Sequence, residues 1–389
     1  MTKHHRTIHD SDSRRATVRT RFSASPLPAA AAARRVLGLA AAVVALAFAP
    51  AAHAQTACDA DINADGTVGA SDLAALLGAW GACSGCASDV NDDGLVDAAD
   101  LSTLLGLWGG TCSQLPWATV LEFAPNPTVV TNASLRKAIA ATGLPWRVRD
   151  NGTQIEMLLA PPGTFNMGCS ASTLNGCVNN ENPVHAVTLT NAFYIGRYEV
   201  TQAQWTARVG SNPSFFQTAS AQVPAAQVPN RPVEKVSWIA IQGFLSTTGL
   251  RLPTEAEWEY AYRAGTTTAF HSTPGFPSGT NSDTQVGNIA WFTLTAGLQT
   301  RPVGGKAANG LGLHDMAGNV YEWVNDFYSS SYYASSPSTN PPGPAIGPNR
   351  VLRGGSWATD SFYTRSSFRD LVEPGGPYND LGFRVARNP

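Results

Sequence analysis

Within residues 58–112 one pattern occurs twice: DINADGTVGASDLAALLGAW at 61–80 is answered by DVNDDGLVDAADLSTLLGLW at 89–108, a period of 28. A unit this short cannot enclose a core alone, so the two copies must pack against each other. In each copy oxygen-bearing side chains stand at the first, third, fifth and twelfth positions around a glycine at the sixth. They are Asp61, Asn63, Asp65 and Asp72 about Gly66, then Asp89, Asn91, Asp93 and Asp100 about Gly94. That spacing suits Ca2+, a hard ion that takes about six to eight oxygens, with the glycine permitting the sharp turn. Thr67 and Leu95, at the seventh position, supply only a backbone carbonyl, so either side chain is acceptable there. After each loop, Leu73, Leu76, Leu77 and Trp80, then Leu101, Leu104, Leu105 and Trp108, recur at i, i+3, i+4, i+7. The spacing predicts one apolar helical stripe per copy, the two stripes facing each other.

Residues 55–115 contain nine Asp and no Lys, Arg or Glu. Such a segment repels itself unless cations neutralise it, and it excludes nucleic acid as a partner. The segment resembles a dockerin, the duplicated loop-helix calcium module that docks onto cohesin partners. The resemblance implies a small all-α unit with calcium as cofactor and a cohesin-like or cell-surface protein as partner through residues 55–115. Its bracketing cysteines depart from the usual pattern, as does Asp rather than the longer Glu as last ligand. Four cysteines allow three connectivities; pairing within each copy, Cys58 with Cys83 and Cys86 with Cys112, is the preferred one. Two further cysteines, Cys169 and Cys177, read as a loop-closing disulfide contributing about 2 to 3 kcal/mol.

Residues 1–54 read as a secretory signal: a basic leader, the apolar run VLGLAAAVVALAFA, then Pro50 and AHA before Gln55. The pair Arg34–Arg35 has no polar residue before it, so the general secretory route is expected over twin-arginine export. The apolar run is short of the roughly 20 residues that span a bilayer, and no later segment is longer. A secreted, periplasmic or cell-surface protein that does not span the membrane is the expectation.

Residues 116–143 read as a linker and residues 144–389 as one α+β domain with short elements and frequent Gly and Pro. AVTLTNAFYIGRYEV reads as strand, turn, strand. Helices are expected from Thr201, with Gln204 completing a capping box, across VSWIAIQGFLSTTG, and from Thr254, capped with Glu257. The motifs PPGTFNMG, NPVHAVTLTNAFYIGRYEVTQAQW, PVEKVSW, RLPTEAEWEYAYRAG, GLGLHDMAGNVYEWVNDFY, VLRGGSW and LGFRVAR occur in that order. Residues 151–389 thereby resemble the formylglycine-generating enzyme or sulfatase-modifying factor family. The resemblance implies a variant of the C-type lectin-like fold, low in regular secondary structure.

The resemblance also implies an activity: copper-dependent oxidation of a sulfatase cysteine to formylglycine, using two cysteines five residues apart. Here those positions are Thr359 and Thr364. Cu(I) selects thiolate, and a threonine hydroxyl does not ionise near neutral pH, so copper is not expected and no catalytic residue is assigned. The calcium-binding positions of the family fall on Asn288 and Ile289, and on Asn309, Gly310, Gly312 and His314. His185, His271 and His314 show no zinc spacing, and Glu199, Glu255, Glu259 and Glu322 read as structural carboxylates paired with Arg. Some members of this fold bind ligands through the segment after GGSW. Trp357, Asp360, Tyr363, Arg365 and Phe368 are therefore the expected contacts for a protein or carbohydrate ligand. The leading reading is a tethered binding protein, and the alternative is a formylglycine-generating oxidase or a related family enzyme that uses different residues.

Overall fold

The computed structural model describes residues 57–63, 66–83, 86–91, 93–110, 115–170, 176–271, 273, 280 and 283–389. The signal segment lies outside the described residues, as do Asp65, Cys112 and the side chain of Cys58.

The repeat builds α1 (Ala57–Ala60), α2 (Ala70–Gly78), β1 (Gly81–Ala82), β2 (Leu95–Val96) and α3 (Ala98–Gly106). Asp72 and Asp100, the third residues of their helices, reach back to accept from the N-cap amides of Gly69 and Asp97 at 2.8 Å, so the twelfth loop residue also secures the helix start. The two copies close symmetrically. β1 pairs antiparallel with β2, Gly81 opposite Val96. Val68, the counterpart of Val96 in the first copy, donates to the Gly110 carbonyl at 2.8 Å and accepts from the Gly109 amide at 2.9 Å. Each loop therefore pairs with the tail of the other copy, and the unit is not purely helical as expected.

The expected stripe also narrows. Leu76 and Leu104 are fully buried with Val68 and Val96, whereas Leu77, Trp80, Leu105 and Trp108 are 52%, 50%, 52% and 47% exposed. The helices stop at Gly78 and Gly106, so each Trp falls beyond the turn that would have carried it inward. The cysteine pairing is corrected as well: Cys83 bonds to Cys86 across the connector between copies, so Cys83 is not joined to Cys58 nor Cys86 to Cys112.

Residues 116–143 are not a linker. They supply β3 (Ala118–Glu122), the edge of a sheet, and α4 (Ala133–Ala140), whose N-cap Asn132 accepts from Ser134 and Leu135 amides. Phe123, just after β3, lies against Gly66 of the first loop: a Cβ there would sit 2.9 Å from the ring, and φ is +91°, so only glycine fits.

The remainder contains β4 (Arg147–Asp150), β5 (Glu156–Ala160), β6 (Gly163–Met167), β7 (His185–Leu189), β8 (Phe193–Gly196), α5 (Gln202–Val209), α6 (Trp238–Leu245) and α7 (Glu255–Arg263). β9 (Tyr321–Phe327), β10 (Arg350–Arg353), β11 (Asp370–Val372), β12 (Leu381–Gly382) and β13 (Ala386–Arg387) follow. The expected capping boxes are present at Thr201 with Gln204 and at Thr254 with Glu257. α6 ends at Leu245, a turn before Gly249.

One sheet has the order β13-β8-β5-β4-β3 and a second β11-β10-β9-β12, in which only β12 is parallel to its neighbour. β6 pairs with β7 alone. The consecutive strands β7 and β8 thus go to different sheets. Between them the core is aromatic: Trp258, Trp323, Tyr194, Tyr262, Phe193, Phe244 and Phe383 are all essentially inaccessible.

Leu104→Ala should lower the opening free energy of the repeat by about 2 to 5 kcal/mol, whereas Leu105→Ala should change it by no more than about 0.5 kcal/mol. Hydrogen exchange at the Val68 amide in the full chain reads both.

Candidate functional site

Segment 353–369 begins where β10 ends. Arg353 is fully buried. Its guanidinium donates to the carbonyls of Ser366 (2.7 Å), Ser367 (3.0 Å) and Phe368 (2.6 Å) and to the Glu259 carboxylate. One side chain thereby straps the returning segment to α7. Gly354 and Gly355 follow with φ of +90° and +70°. A Cβ on Gly355 would sit 2.8 Å from the Thr364 γ-methyl and 3.0 Å from its amide nitrogen. Thr364 consequently packs on the glycine turn and is fully buried.

Both threonine hydroxyls are spent on backbone. Thr359 Oγ1 accepts from the Ser356 amide at 2.9 Å and donates to the Ser356 carbonyl at 3.1 Å. Thr364 Oγ1 donates to the Ser361 carbonyl at 2.8 Å. Neither residue lines either of the two cavities described below.

Of the five expected ligand contacts, three reach the surface. Asp360 and Tyr363 are exposed, and half-buried Trp357 packs edge-on against Phe216, ring centres 5.2 Å apart. Arg365 and Phe368 are corrected to interior residues, 2% and 6% exposed. Arg365 grips Glu181 in two bonds of 2.9 and 2.8 Å. The Phe368 ring turns in against Tyr363 and Phe362. A guanidinium this desolvated needs a carboxylate, and Glu181 reaches it only through tertiary folding.

The motif carboxylates are structural in three cases. Glu255 pairs with Arg369 at 2.6 and 2.8 Å. Glu259 is shared by Arg263 and Arg353. Glu322 takes Arg384 at 2.6 Å and the Trp258 indole at 2.7 Å. Glu199 differs: among the described residues no Arg pairs with it directly, and it accepts from the Asn319 amide group at 2.6 Å and the Val320 amide at 3.1 Å. Burial, then the neighbouring Asp315 and Glu322, hold its carboxyl well above the ordinary range. Asp315 is itself pushed up to about 6, chiefly by burial.

The expected calcium positions in the large domain have other duties. Asn309 donates to the Ala261 and Tyr262 carbonyls and accepts from the Leu311 and Leu313 amides through its side chain, and its own carbonyl accepts from the Gly312 amide. Gly310 and Gly312 belong to the turn this builds. His314 offers nitrogen rather than oxygen and turns Nδ1 onto the Lys306 carbonyl at 2.9 Å. The Asn288 carbonyl accepts from the Ala307 amide, Ile289 is buried in the core, and the Lys306 ammonium donates to the Gly287 carbonyl. A protein cation thus stands beside that loop.

In the repeat, Asp61 and Asp89 accept from the amides of Gly66 and Gly94 at 2.9 Å, and Asp100 accepts from Val90 and Asn91. Asn63 donates its amide to Asp72, and Asn91 accepts from the Asp93 amide. Thr67 and Leu95 are exposed. Among the described residues no three His, Cys, Asp or Glu side chains converge as a metal set.

Two cavities stand out. One of about 1040 Å³ is bordered by Asn191, Arg251, Glu257, Asn325 and Asn340. Another of about 690 Å³ is bordered by Phe165, Cys169, Tyr260 and Arg263.

Residues 147–389 match the family model described as the sulfatase-modifying factor enzyme 1-like domain. The chain belongs to that family. It is 32% identical over 304 residues to the formylglycine-generating enzyme of Streptomyces coelicolor, covering 64% of this chain and 94% of that one. The Bos taurus formylglycine-generating enzyme is 28% identical over 286 residues, 59% of this chain and 74% of its own. Among solved structures, Treponema denticola variable protein 1 aligns with a TM-score of 0.51 and 31% identity, covering 60% of this chain and 95% of that one. PvdO from Pseudomonas aeruginosa aligns at 0.52 and 28%, covering 62% and 98%.

Within this family member, the residues at the copper positions do not fit a copper ion. Their hydroxyls are neutral, hard donors already bonded to carbonyls, where Cu(I) needs soft thiolates.

The site's surroundings make stability depend on pH. Burial, with the Glu255 carboxylate adding to it, pushes Asp326 from 3.8 to about 8, while its Oδ2 accepts from the Glu255 amide at 2.8 Å. The folded chain keeps a proton that the unfolded chain has released, so this contribution is full below the unfolded value and is lost as pH rises toward the folded one. Asp326→Asn should remove that decline, about 1.4 kcal/mol per pH unit for one proton. The measurement is the urea unfolding midpoint between about pH 5 and 8.

Proposed function

We propose that this chain is an exported, calcium-dependent protein of two modules, in which a dockerin-like unit tethers a large domain that binds a ligand and does not oxidise one. One observation carries the reading: at both positions where the family's enzyme needs thiolates, this chain has threonines whose hydroxyls are bonded to the carbonyls of Ser356 and Ser361. Among the described residues all cysteines are in disulfides, and no described helix is long and apolar enough to cross a membrane.

The surface after the glycine turn supplies a recognition face. Trp357 with Phe216 presents aromatic area, and Asp360 and Tyr363 add hydrogen-bonding groups. Such a mixture suits a protein loop or a sugar. Trp357→Ala and Tyr363→Ala should each weaken ligand binding with little change in stability, since neither holds the buried ion pairs.

Incubating the full chain with a cysteine-containing sulfatase peptide, copper and O2 should leave the peptide mass unchanged. A formylglycine product would establish the oxidase reading instead, which the 32% identity to the Streptomyces enzyme makes the proper rival.

Calcium is assigned first to the tandem loops, with Asn288, Ile289, Asn309, Gly310, Gly312 and His314 of the large domain kept as the second expected set. Binding would pull the carboxylates of Asp61, Asp89, Asp72 and Asp100 into the coordination sphere and draw the loops tight, stabilising the fold by mass action. The exposed Leu77–Trp80 and Leu105–Trp108 pairs give the unit apolar surface for a cohesin-like or cell-surface protein. Calcium should raise the melting temperature of the full chain's least stable transition, and the Asp89→Ala, Asp100→Ala double variant, which leaves the first loop intact, should lose part of that rise. No calcium-dependent change in the unaltered chain would sink the assignment.

A further inference from the structure

The Cys169–Cys177 disulfide is distant in sequence from segment 353–369, yet folding brings them into contact. Arg365 Nη1 points at Cys177 Sγ from 3.6 Å. The rest of that guanidinium is engaged with stronger acceptors: the Glu181 carboxylate takes Nη1 and Nη2, and the Phe362 carbonyl takes Nε at 2.8 Å. Arg365 is 2% exposed, so the N–H facing sulfur has no water to turn to. A disulfide sulfur accepts poorly, whereas a thiolate in the same place would take a charge-assisted hydrogen bond.

The two sulfurs have unequal surroundings. Cys169 borders the cavity of about 690 Å³, whose wall includes Phe165, Tyr260 and Arg263. Arg263 is held there by Glu259 at 2.8 Å and Ser170 Oγ at 3.1 Å. Both cysteines are half-buried, but the cavity lies on the Cys169 side, and stabilisation of a leaving sulfur is on the Cys177 side. Among the described residues, the charges facing Cys177 include the Arg365 guanidinium and, behind it, Glu181, which is itself covered by Arg365 and by the Ser367 hydroxyl at 2.5 Å.

We propose that Cys169–Cys177 is a thiol-exchange site: a small thiol admitted to the cavity attacks Cys169 Sγ, and Cys177 departs as a thiolate onto Arg365. The incoming thiolate forms a new S–S bond to Cys169, the Cys169–Cys177 bond breaks, and its electron pair stays on Cys177. A second thiol then attacks the incoming sulfur, releasing the two small molecules as their own disulfide. The protein gains two electrons and the two thiols lose two. Arg263 adds an attractive field for the anionic nucleophile at the cavity wall. The site is independent of calcium and of the ligand face proposed above.

The test uses the full chain with reduced glutathione as probe, rapid alkylation and peptide mass mapping. The expected product is a glutathione adduct on Cys169 with Cys177 free to alkylate. An adduct on Cys177, or an intact bond, would overturn the proposal. A second measurement leaves Arg365 untouched: in a Cys169→Ser chain, Cys177 alkylation is followed against pH. Half-maximal alkylation about one unit below the ordinary 8.5 or so is expected, which is about tenfold more thiolate at neutral pH. A midpoint at or above that ordinary value would remove Arg365 as the stabilising group and the proposal with it.

Discussion

A guanidinium can be buried only against a carboxylate that is held for it, and this constraint organises the large domain. Arg353, Arg369 and Arg384 are all essentially inaccessible. Their partners Glu259, Glu255 and Glu322 lie on α7 and β9. α7 turns Glu255, Trp258, Glu259, Tyr262 and Arg263 inward, a helical stripe in which charges occupy core positions. With Trp258 bonded to Glu322 and Glu322 to Arg384, the helix, the second sheet and the C-terminal strands form one network. Removing any one partner leaves a buried charge uncompensated, at a cost of about 3 to 5 kcal/mol. Short strands and long loops hold their places because the network pins them.

The same constraint decides what segment 353–369 can do. Its three arginines all point inward, each holding a different part of the fold, so they are lost to any ligand. Of the expected ligand contacts, Trp357, Asp360 and Tyr363 remain outside. Thr364 fills the space above Gly355, and Thr359 closes a turn with Ser356. Thr359 and Thr364, which stand where the family resemblance places thiolates, serve here as packed backbone support, and the surface around them is the recognition face we propose.

The repeat obeys a different rule. Two short copies have too little area for a large core, so they share one: Leu76 and Leu104 meet between them while each loop pairs with the tail of the other copy. The symmetry that closes the core also leaves a Leu and a Trp exposed at equivalent places. Burying them from within would need longer helices than the glycines at 78 and 106 allow.

Much of this was legible in the residues themselves. Local rules were sufficient for the loop-helix units, for the capping boxes at Thr201 and Thr254, and for pairing Glu255, Glu259 and Glu322 with arginines as a class, because each depends on neighbours or on the cost of burying a charge. The sequence by itself also determined that no cysteine stands at 359 or 364. Only the tertiary structure decided which arginine meets which carboxylate, that residues 116–143 join the sheet, that Arg365 faces inward, and that Cys177 lies beside it. Those outcomes depend on contacts that range from 25 positions apart for Glu122 and Arg147, through 62 for Glu322 and Arg384, to 188 for Cys177 and Arg365, where spacing along the chain carries no information about proximity in space.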